Sequence, residues 1–153
     1  MVKASLKKLF KERGEFLETI PHIHALGVDL KEFGPKGVIL RLPYREDLVA
    51  DPEDGLFSGG AISAFLDNCC GYAVSARTDR ERMFATLDLR IDYMKPAKVG
   101  EDVFAFAECY KITRRIAFVR GVAYQDSRDE PIANATATFM FTGSSHADPR
   151  ENL

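Results

Sequence analysis

The fold is decided by residues 55–68, which read GLFSGGAISAFLDN. Two adjacent glycines, Gly59 and Gly60, open an apolar segment in which Asp67 is the only charged side chain before Arg77. At about 100° per residue, most of the apolar side chains fall on one broad face and Asp67 falls on the other. The pattern predicts a helix that runs to about Arg77 and is buried on most of its circumference. A carboxylate in such a helix is costly unless it is paired or used.

The composition is that of one soluble globular domain. The chain has 153 residues, 46% of them hydrophobic and 29% charged, which excludes a disordered protein. Its net charge of -2 argues against a nucleic-acid surface, and no apolar run approaches the ~20 residues of a membrane span. The three cysteines are an odd number, and two are adjacent in the apolar helix, which favours buried thiols in a reducing compartment. We therefore expect a cytoplasmic protein with no nucleic-acid or membrane partner.

The N-terminal segment has the spacing of an amphipathic helix. Apolar side chains recur at helical intervals from Val2 to Ile20, and Pro21 predicts the end of this helix. His22 and His24 follow as an HxH pair, which on a strand would share one face and could bind a metal. Because no further Cys or His is nearby, we expect two ordinary histidines in a loop-to-strand segment and no metal site.

The remaining elements predict strands. Two short ones, Ala25–Phe33 and Lys36–Pro43, precede the central helix, and four follow it. The four are Phe84–Met94, Asp102–Ile112, Ile116–Gln125 and Pro131–Thr142. Short turns join them, so neighbouring strands should pair antiparallel.

The predicted architecture is therefore an α+β fold: one antiparallel sheet with a single long helix lying across it. The domain covers residues 21–143, an extra N-terminal helix covers residues 1–20, and a polar tail covers residues 144–153. In the strand after the helix, simple alternation assigns Ala85, Leu87 and Tyr93 to the inner face and Thr86 and Asp88 to the outward face.

Four features together resemble a known family. Gly59-Gly60 opens the helix, and Asp67 follows the first glycine by eight positions. Residues 86–97 read TLDLRIDYMKPA, and residues 132–139 read IANATATF. In this order and spacing they resemble the hotdog-fold thioesterase superfamily, in the branch related to phenylacetate-pathway acyl-CoA thioesterases.

The resemblance implies a hotdog domain, in which the antiparallel sheet wraps around the central helix. It implies hydrolysis of an acyl-CoA or aryl-acyl-CoA thioester without a cofactor. It also implies a homodimer, or a homotetramer built as a dimer of dimers, in which helix residues of one subunit face the Gly-Gly loop of the other.

The resemblance further implies catalytic roles for four residues. Asp67 would act as nucleophile or general base, and Thr86 would help to hold the attacking water. The backbone N–H of Gly59, at a helix N-terminus, would bind the developing oxyanion, with Ser58 assisting. Each has a structural alternative: a tight loop-to-helix turn capped by Ser58, a satisfied interfacial Asp67, and a β-branched strand residue at Thr86.

Several further side chains are candidate substrate contacts. Those near the catalytic residues are Asp51, Gly60 and Asn68. Lys95, Arg114 and Arg115 lie at predicted strand ends and could meet the phosphates of CoA, although such residues are commonly solvated charges. Lys98 belongs to the same basic group.

The chain departs from the family pattern at two positions. Ser58 stands where the family usually has His, and Asp51 corresponds to the loop position where it often has Asn. A hydroxyl cannot polarise a thioester as an imidazole can, so a non-catalytic or weakly active acyl-thioester binding protein is the main alternative. A dehydratase or hydratase of the same fold is a further alternative, disfavoured because it normally pairs a His with a carboxylate and no His is placed for that role.

Overall fold

The computed structural model describes residues 19–78 and 82–144, together with Glu12 and Glu15. Most of the predicted N-terminal helix and nearly all of the polar tail therefore lie outside the described residues. The described elements, in chain order, are α1 (Pro21–Leu26), β1 (Asp29–Gly34), β2 (Gly37–Leu42), a 3₁₀ turn (Glu46–Leu48), α2 (Gly59–Ser75), β3 (Arg82–Tyr93), β4 (Val103–Ile112), β5 (Ile116–Tyr124) and β6 (Ala133–Ser144).

The six strands form one antiparallel sheet in the order β1-β2-β4-β5-β6-β3. The long helix α2 packs across one face of it, in contact with all the central strands. The predicted fold class and the order of strands and central helix are thus confirmed, and the arrangement is the hotdog fold. Among the described residues, no helix has both the length and the apolar character that a membrane crossing requires.

Small side chains on the sheet let α2 approach closely. The sheet face beneath the helix carries eight of them, each at most 4% exposed: Ala105, Ala107, Cys109, Ala117, Ala123, Ala133, Ala135 and Ala137. From the helix side, Phe65, Leu66 and Cys69 are fully buried against this surface. Val74 is fully buried as well.

The segment around Pro21 differs in part from the prediction. The chain is helical at Thr19 and bends at Ile20, in agreement with a helix that ends before Pro21, but Pro21 also begins a new helix, α1. A missing N–H costs nothing there because the first helical N–H groups have no intrahelical acceptor. His22 and His24 consequently lie on a short helix, both exposed, and not on a loop-to-strand segment. No cluster of metal-ligating side chains occurs within the described ranges.

The loop between β2 and α2 is held at several points, and it sets where α2 begins. Arg41 on β2 bonds to Asp29 and Asp102, and the Asp102 carboxylate accepts the Tyr44 backbone N–H at 2.8 Å. The Tyr44 hydroxyl donates to the carbonyl of Gly55, whose φ of 66° suits glycine.

The last residues of that loop are also hydrogen-bonded. The backbone N–H of Ser58 donates to the Leu48 carbonyl at 2.8 Å, and Val49 pairs with Phe57 in an isolated bridge. The start of α2 is therefore fixed relative to the sheet before any substrate binds.

Candidate active site

Asp67 on α2 and Thr86 on β3 are in direct contact. The Thr86 hydroxyl donates to Asp67 Oδ1 across 2.9 Å. The contact lies at an edge of the sheet, because β3 is the last strand in the order that the described residues form. The two residues that the resemblance assigned to the water-activating end of the site are thus brought together.

The predicted orientation of Thr86 is wrong, and a β-bulge explains why. Thr86 pairs with Phe139 and Asp88 pairs with Thr138, so Leu87 is an extra residue on β3. The extra residue reverses the alternation, which places Thr86 on the helix face instead of the outer face beside Asp88. Leu87, assigned by alternation to the inner face, is 57% exposed.

A cavity of about 250 Å³ opens beside Asp67. Its helix wall includes Asn68 and Gly71, and its sheet wall includes Phe84 and Phe139, whose rings meet edge to face at 5.6 Å. A methyl group built on Gly71 would contact both rings at 3.7 Å, an ordinary van der Waals distance. The missing side chain at Gly71 therefore leaves space in the cavity and is not required to avoid a clash.

Two neighbours of Asp67 have identifiable environments. Asn68 donates its Nδ2 to the Ala64 carbonyl at 2.7 Å, while the residue also lines the cavity. Burial raises the pKa of the Cys70 thiol to about 12, and the nearby Asp67 carboxylate adds to the rise. Cys70 is therefore a protonated, unreactive core side chain.

At the other end of the helix, Ser58 is the N-cap residue, but its side chain makes no capping hydrogen bond. Gly59 and Gly60 follow as the first helical residues, and neither has a positive φ. Among the described residues, a methyl group on Gly59 would contact only the Tyr93 side chain, at 3.6 Å. Neither backbone conformation nor internal packing thus requires glycine here, which leaves this surface open to close approach from outside the chain.

Two side chains that the sequence interpretation missed surround Gly59. Ser63 Oγ donates to the Gly59 carbonyl at 2.8 Å, and the Tyr93 hydroxyl donates to the same oxygen at 2.7 Å. A second cavity, of about 200 Å³, is lined by Gly59, Tyr93 and Lys95. The spacing of Ser63, four residues after Gly59, was a usable signal because helical side chains reach the carbonyl one turn back.

Asp51 is engaged in its own loop. Its carboxylate accepts the Glu53 backbone N–H at 2.9 Å, and its carbonyl accepts the N–H of Gly55. The side chain is exposed and forms a local turn of the Asx type.

The basic candidates lie at opposite ends of β3. Lys95 follows the end of the strand near Gly59, and it pairs with Glu130 at 3.6 Å. Arg114 and Arg115 lie in the β4–β5 turn, where the Arg114 carbonyl accepts a hydrogen bond from Arg82 at the other end of β3. At about 3.3 Å per residue, the strand separates the two ends by roughly 36 Å, so one subunit does not gather these side chains around one phosphate. Lys98, near Lys95, is paired with Asp126 at 2.6 Å.

The chain matches the family model of the Thioesterase superfamily over residues 54–132, just over half of its length. The chain belongs to the thioesterase superfamily. The matched segment of this superfamily member contains Ser58, Gly59, Asp67 and Thr86, so the family assignment and the candidate site fall on the same part of the chain.

The similarity of this superfamily member to known proteins extends over most of the chain. It is 27% identical over 138 residues to the Escherichia coli (strain K12) medium/long-chain acyl-CoA thioesterase YigI, covering 82% of this chain and 88% of that protein. A Pseudomonas aeruginosa crystal structure has a TM-score of 0.78 at 41% identity, covering 86% of this chain and 98% of the other. A thioesterase family protein from Silicibacter pomeroyi has a TM-score of 0.72 at 28% identity, covering 89% and 94%.

Proposed function

We propose that this protein hydrolyses an acyl-CoA or aryl-acyl-CoA thioester to the free acid and CoA. The observation that carries the proposal is the Asp67 carboxylate, held by Thr86 at 2.9 Å, at the mouth of a cavity with aromatic walls. The resemblance at Gly59-Gly60, Asp67 and Thr86 further supports the branch related to phenylacetate-pathway acyl-CoA thioesterases. The name of the Escherichia coli relative supports the same substrate class.

In the proposed reaction Asp67 acts as general base. Thr86 donates to Oδ1, so the second oxygen, Oδ2, takes the proton of a water molecule whose oxygen attacks the thioester carbonyl. The C–S bond breaks as the tetrahedral intermediate collapses, and the CoA thiolate leaves and takes up a proton. Direct attack by the Asp67 carboxylate, with water then hydrolysing the mixed anhydride, is the other route open to the same group.

The proposed oxyanion donor comes from a second subunit. Gly59 and Asp67 lie on one helix, and eight residues at 1.5 Å separate them by about 12 Å, too far to act on one carbonyl group. We propose a homodimer, alone or within a tetramer, in which Gly59 of one subunit meets Asp67 of the other. The edge position of β3 supports this, because within the described part of the chain its backbone is unpaired on one side and it exposes Met83, Leu87 and Tyr93 by 57%, 57% and 53%.

The cavity beside Asp67 suits the acyl group. An apolar cavity of about 150 Å³ holds a benzene molecule, so a volume of about 250 Å³ fits an aromatic acid or a medium-length aliphatic chain. Its Phe84 and Phe139 walls offer apolar contact to either. The CoA phosphates are proposed to lie near Lys95 of one subunit and the arginines Arg114 and Arg115 of the other, since one subunit holds these groups far apart.

The proposed reaction needs only water and the thioester, with no cofactor. Cys69, Cys70 and Cys109 are all buried free thiols, which supports a reducing compartment such as the cytoplasm.

A second candidate is an acyl-thioester binding protein that does not turn its ligand over. It is favoured by Ser58, which lacks an imidazole, and by Asp51, whose carboxylate is occupied in a local turn. This candidate predicts that Ser58→His raises hydrolysis, whereas a loss of robust wild-type activity in that variant argues against it.

The decisive experiment is a thiol-release assay over CoA esters of increasing acyl length, including aryl-acyl esters, with wild type and Asp67→Asn. We expect turnover by the wild type and a loss of at least about 100-fold in kcat for the variant. Asp88→Asn, on the outer face of β3, is the matched control. Equal rates for wild type and Asp67→Asn would refute the proposed role, and binding without turnover by the wild type would favour the second candidate.

A further inference from the structure

Three oxygen atoms form a compact triangle at the N-terminus of α2. Ser63 Oγ and the Tyr93 hydroxyl lie within hydrogen-bond distance of the Gly59 carbonyl, at 2.8 and 2.7 Å, and of each other, at 2.7 Å. Because each hydroxyl has one proton, two of the three contacts are hydrogen bonds at any time, and at least one hydroxyl donates to the carbonyl. One hydroxyl comes from the helix and the other from the end of β3. The triangle therefore ties the first turn of α2 to the sheet.

Two hydroxyl groups at the Gly59 carbonyl are more than the stability of the helix requires. The Gly59 carbonyl already points along the helix toward the N–H four residues ahead, and a carbonyl at an exposed site is otherwise solvated by water. The ordinary device for fixing a helix start, a side-chain bond from the N-cap, is absent at Ser58. Two successive glycines would be the most mobile residues of the first turn without another restraint.

We infer that Ser63 and Tyr93 are positioning residues that fix the Gly59–Gly60 peptide for oxyanion binding. A trans peptide holds its N–H antiparallel to its C=O. Fixing the Gly59 carbonyl therefore aims the Gly60 N–H, which belongs to the same peptide, away from the helix. There it is a second oxyanion donor beside the Gly59 N–H. Hydrogen bonding to the Gly59 carbonyl also polarises the peptide, which strengthens the Gly60 N–H as a donor.

The position of Tyr93 agrees with this role. Its side chain and Gly59 line the same cavity of about 200 Å³, whose other walls include Phe57, Pro96 and Ile132. A thioester entering there meets the glycine backbone while the two hydroxyls hold that backbone from the side. The pair thus supplies, through the main chain, part of the polarisation that an imidazole at position 58 would supply directly.

The inference rests on the proposed hydrolysis, so its test has one kinetic and one non-kinetic measurement. Tyr93→Phe and Ser63→Ala each delete one of the two hydroxyls. Ser63→Thr retains a hydroxyl at position 63. Tyr110→Phe, a half-exposed tyrosine on β4, is the matched control. The kinetic measurement is kcat and KM in the thiol-release assay, and the second is the amide NMR resonances of Gly59 and Gly60 in the unliganded protein.

We expect Tyr93→Phe and Ser63→Ala each to lower kcat about tenfold with KM changed less than about twofold, because the donor is misaimed and not removed. Ser63→Thr and Tyr110→Phe should retain the wild-type kcat. The fold-loss of kcat in the double variant Tyr93→Phe, Ser63→Ala should be smaller than the product of the two single fold-losses, since both hydroxyls act on one peptide. Both Gly amide resonances should shift in the two deletion variants.

Wild-type kcat in both deletion variants of an active enzyme would overturn the inference, and so would unchanged Gly59 and Gly60 resonances. A wild type that hydrolyses no ester refutes the proposed function instead. The amide resonances then test by themselves whether Ser63 and Tyr93 fix the Gly59–Gly60 peptide. A fall in thermal stability with kcat unchanged would mean that the triangle only stabilises the helix.

Discussion

The hydroxyl of Thr86 donates to Oδ1 of Asp67 at 2.9 Å, although strict alternation along the strand points Thr86 away from the helix. The contact exists because Leu87 is bulged out of register with β6. A bulge next to a site commonly re-aims a side chain. Here it turns a strand threonine into a partner of the one carboxylate in the central helix.

Removal of the Thr86 hydroxyl should lower activity more than stability. We expect Thr86→Val to reduce kcat about tenfold, because Asp67 loses the bond that orients it, while Thr86→Ser keeps most of the rate. The free energy of unfolding should fall by only about 1 kcal/mol, as for one exposed hydrogen bond. Steady-state kinetics and urea unfolding measure both quantities, with Thr136→Val on the outer face of β6 as the control. A wild-type kcat in Thr86→Val would remove Thr86 from the site.

Gly71 should control the size of the acyl group. Gly71→Ala places a methyl group 3.7 Å from the rings of Phe84 and Phe139, so it narrows the cavity without a clash. Replacing a glycine inside a helix should also stabilise the protein by up to about 1 kcal/mol.

The measurement is kcat/KM across CoA esters of rising chain length. We expect bulky and aryl-acyl esters to lose several-fold in kcat/KM while the shortest esters are spared. Gly34→Ala is the control, since a methyl group there contacts nothing within 4 Å. A uniform effect on all esters would place the acyl group elsewhere.

Ser58 gives a prediction that separates capping from catalysis. Loss of an N-cap side chain usually costs about 1 kcal/mol, but the Ser58 hydroxyl makes no capping bond. We therefore expect Ser58→Ala to unfold at the wild-type temperature in a circular-dichroism melt. If its hydroxyl assists the reaction, kcat falls several-fold in the same protein. A lowered melting temperature with unchanged kcat would show that Ser58 caps α2 in solution.

Alkaline pH should destabilise the fold through the buried thiols. Burial raises the pKa of Cys70 to about 12 from its ordinary value of 9.0. Above pH 9 the unfolded chain therefore loses this proton while the folded protein keeps it, so the unfolded state binds fewer protons. The free energy of unfolding should fall as the pH rises from about 9 to about 12.

Urea unfolding followed by circular dichroism at pH 8 to 11 measures this slope. Cys70→Ala is the comparison, because its slope should be shallower than that of the wild type while all other titrating groups are the same. Identical slopes would mean that the Cys70 thiol ionises without penalty.

The sequence was sufficient to predict the features set by local pattern. Gly59-Gly60 predicted the start of α2, and the apolar run predicted its end to within two residues of Ser75. The alternation of the later strands predicted their number and order because each is bounded by a polar turn.

Features set by the tertiary register could not be predicted. The bulge at Leu87 depends on how β3 pairs with β6, and no residue type in the strand indicates its position. Pro21 both follows the end of one helical segment and begins the next, and the sequence pattern indicated only the first of these roles. Tyr93 was expected on the inner face of its strand, but its bond to Gly59 depends on the crossing of β3 and α2.

The alanine-lined sheet face has a consequence for engineering this protein. Beneath α2, Ala105, Ala107 and Ala117 are fully buried. Replacing them with glycine would add almost no volume to the interior, and replacing them with larger residues would force the helix away from the sheet. Redesign toward larger substrates must therefore take its volume from Phe84 and Phe139, the only large rings of the cavity that come from strands in the described part of the chain. Selection for new acyl groups should accumulate changes at these two aromatic positions.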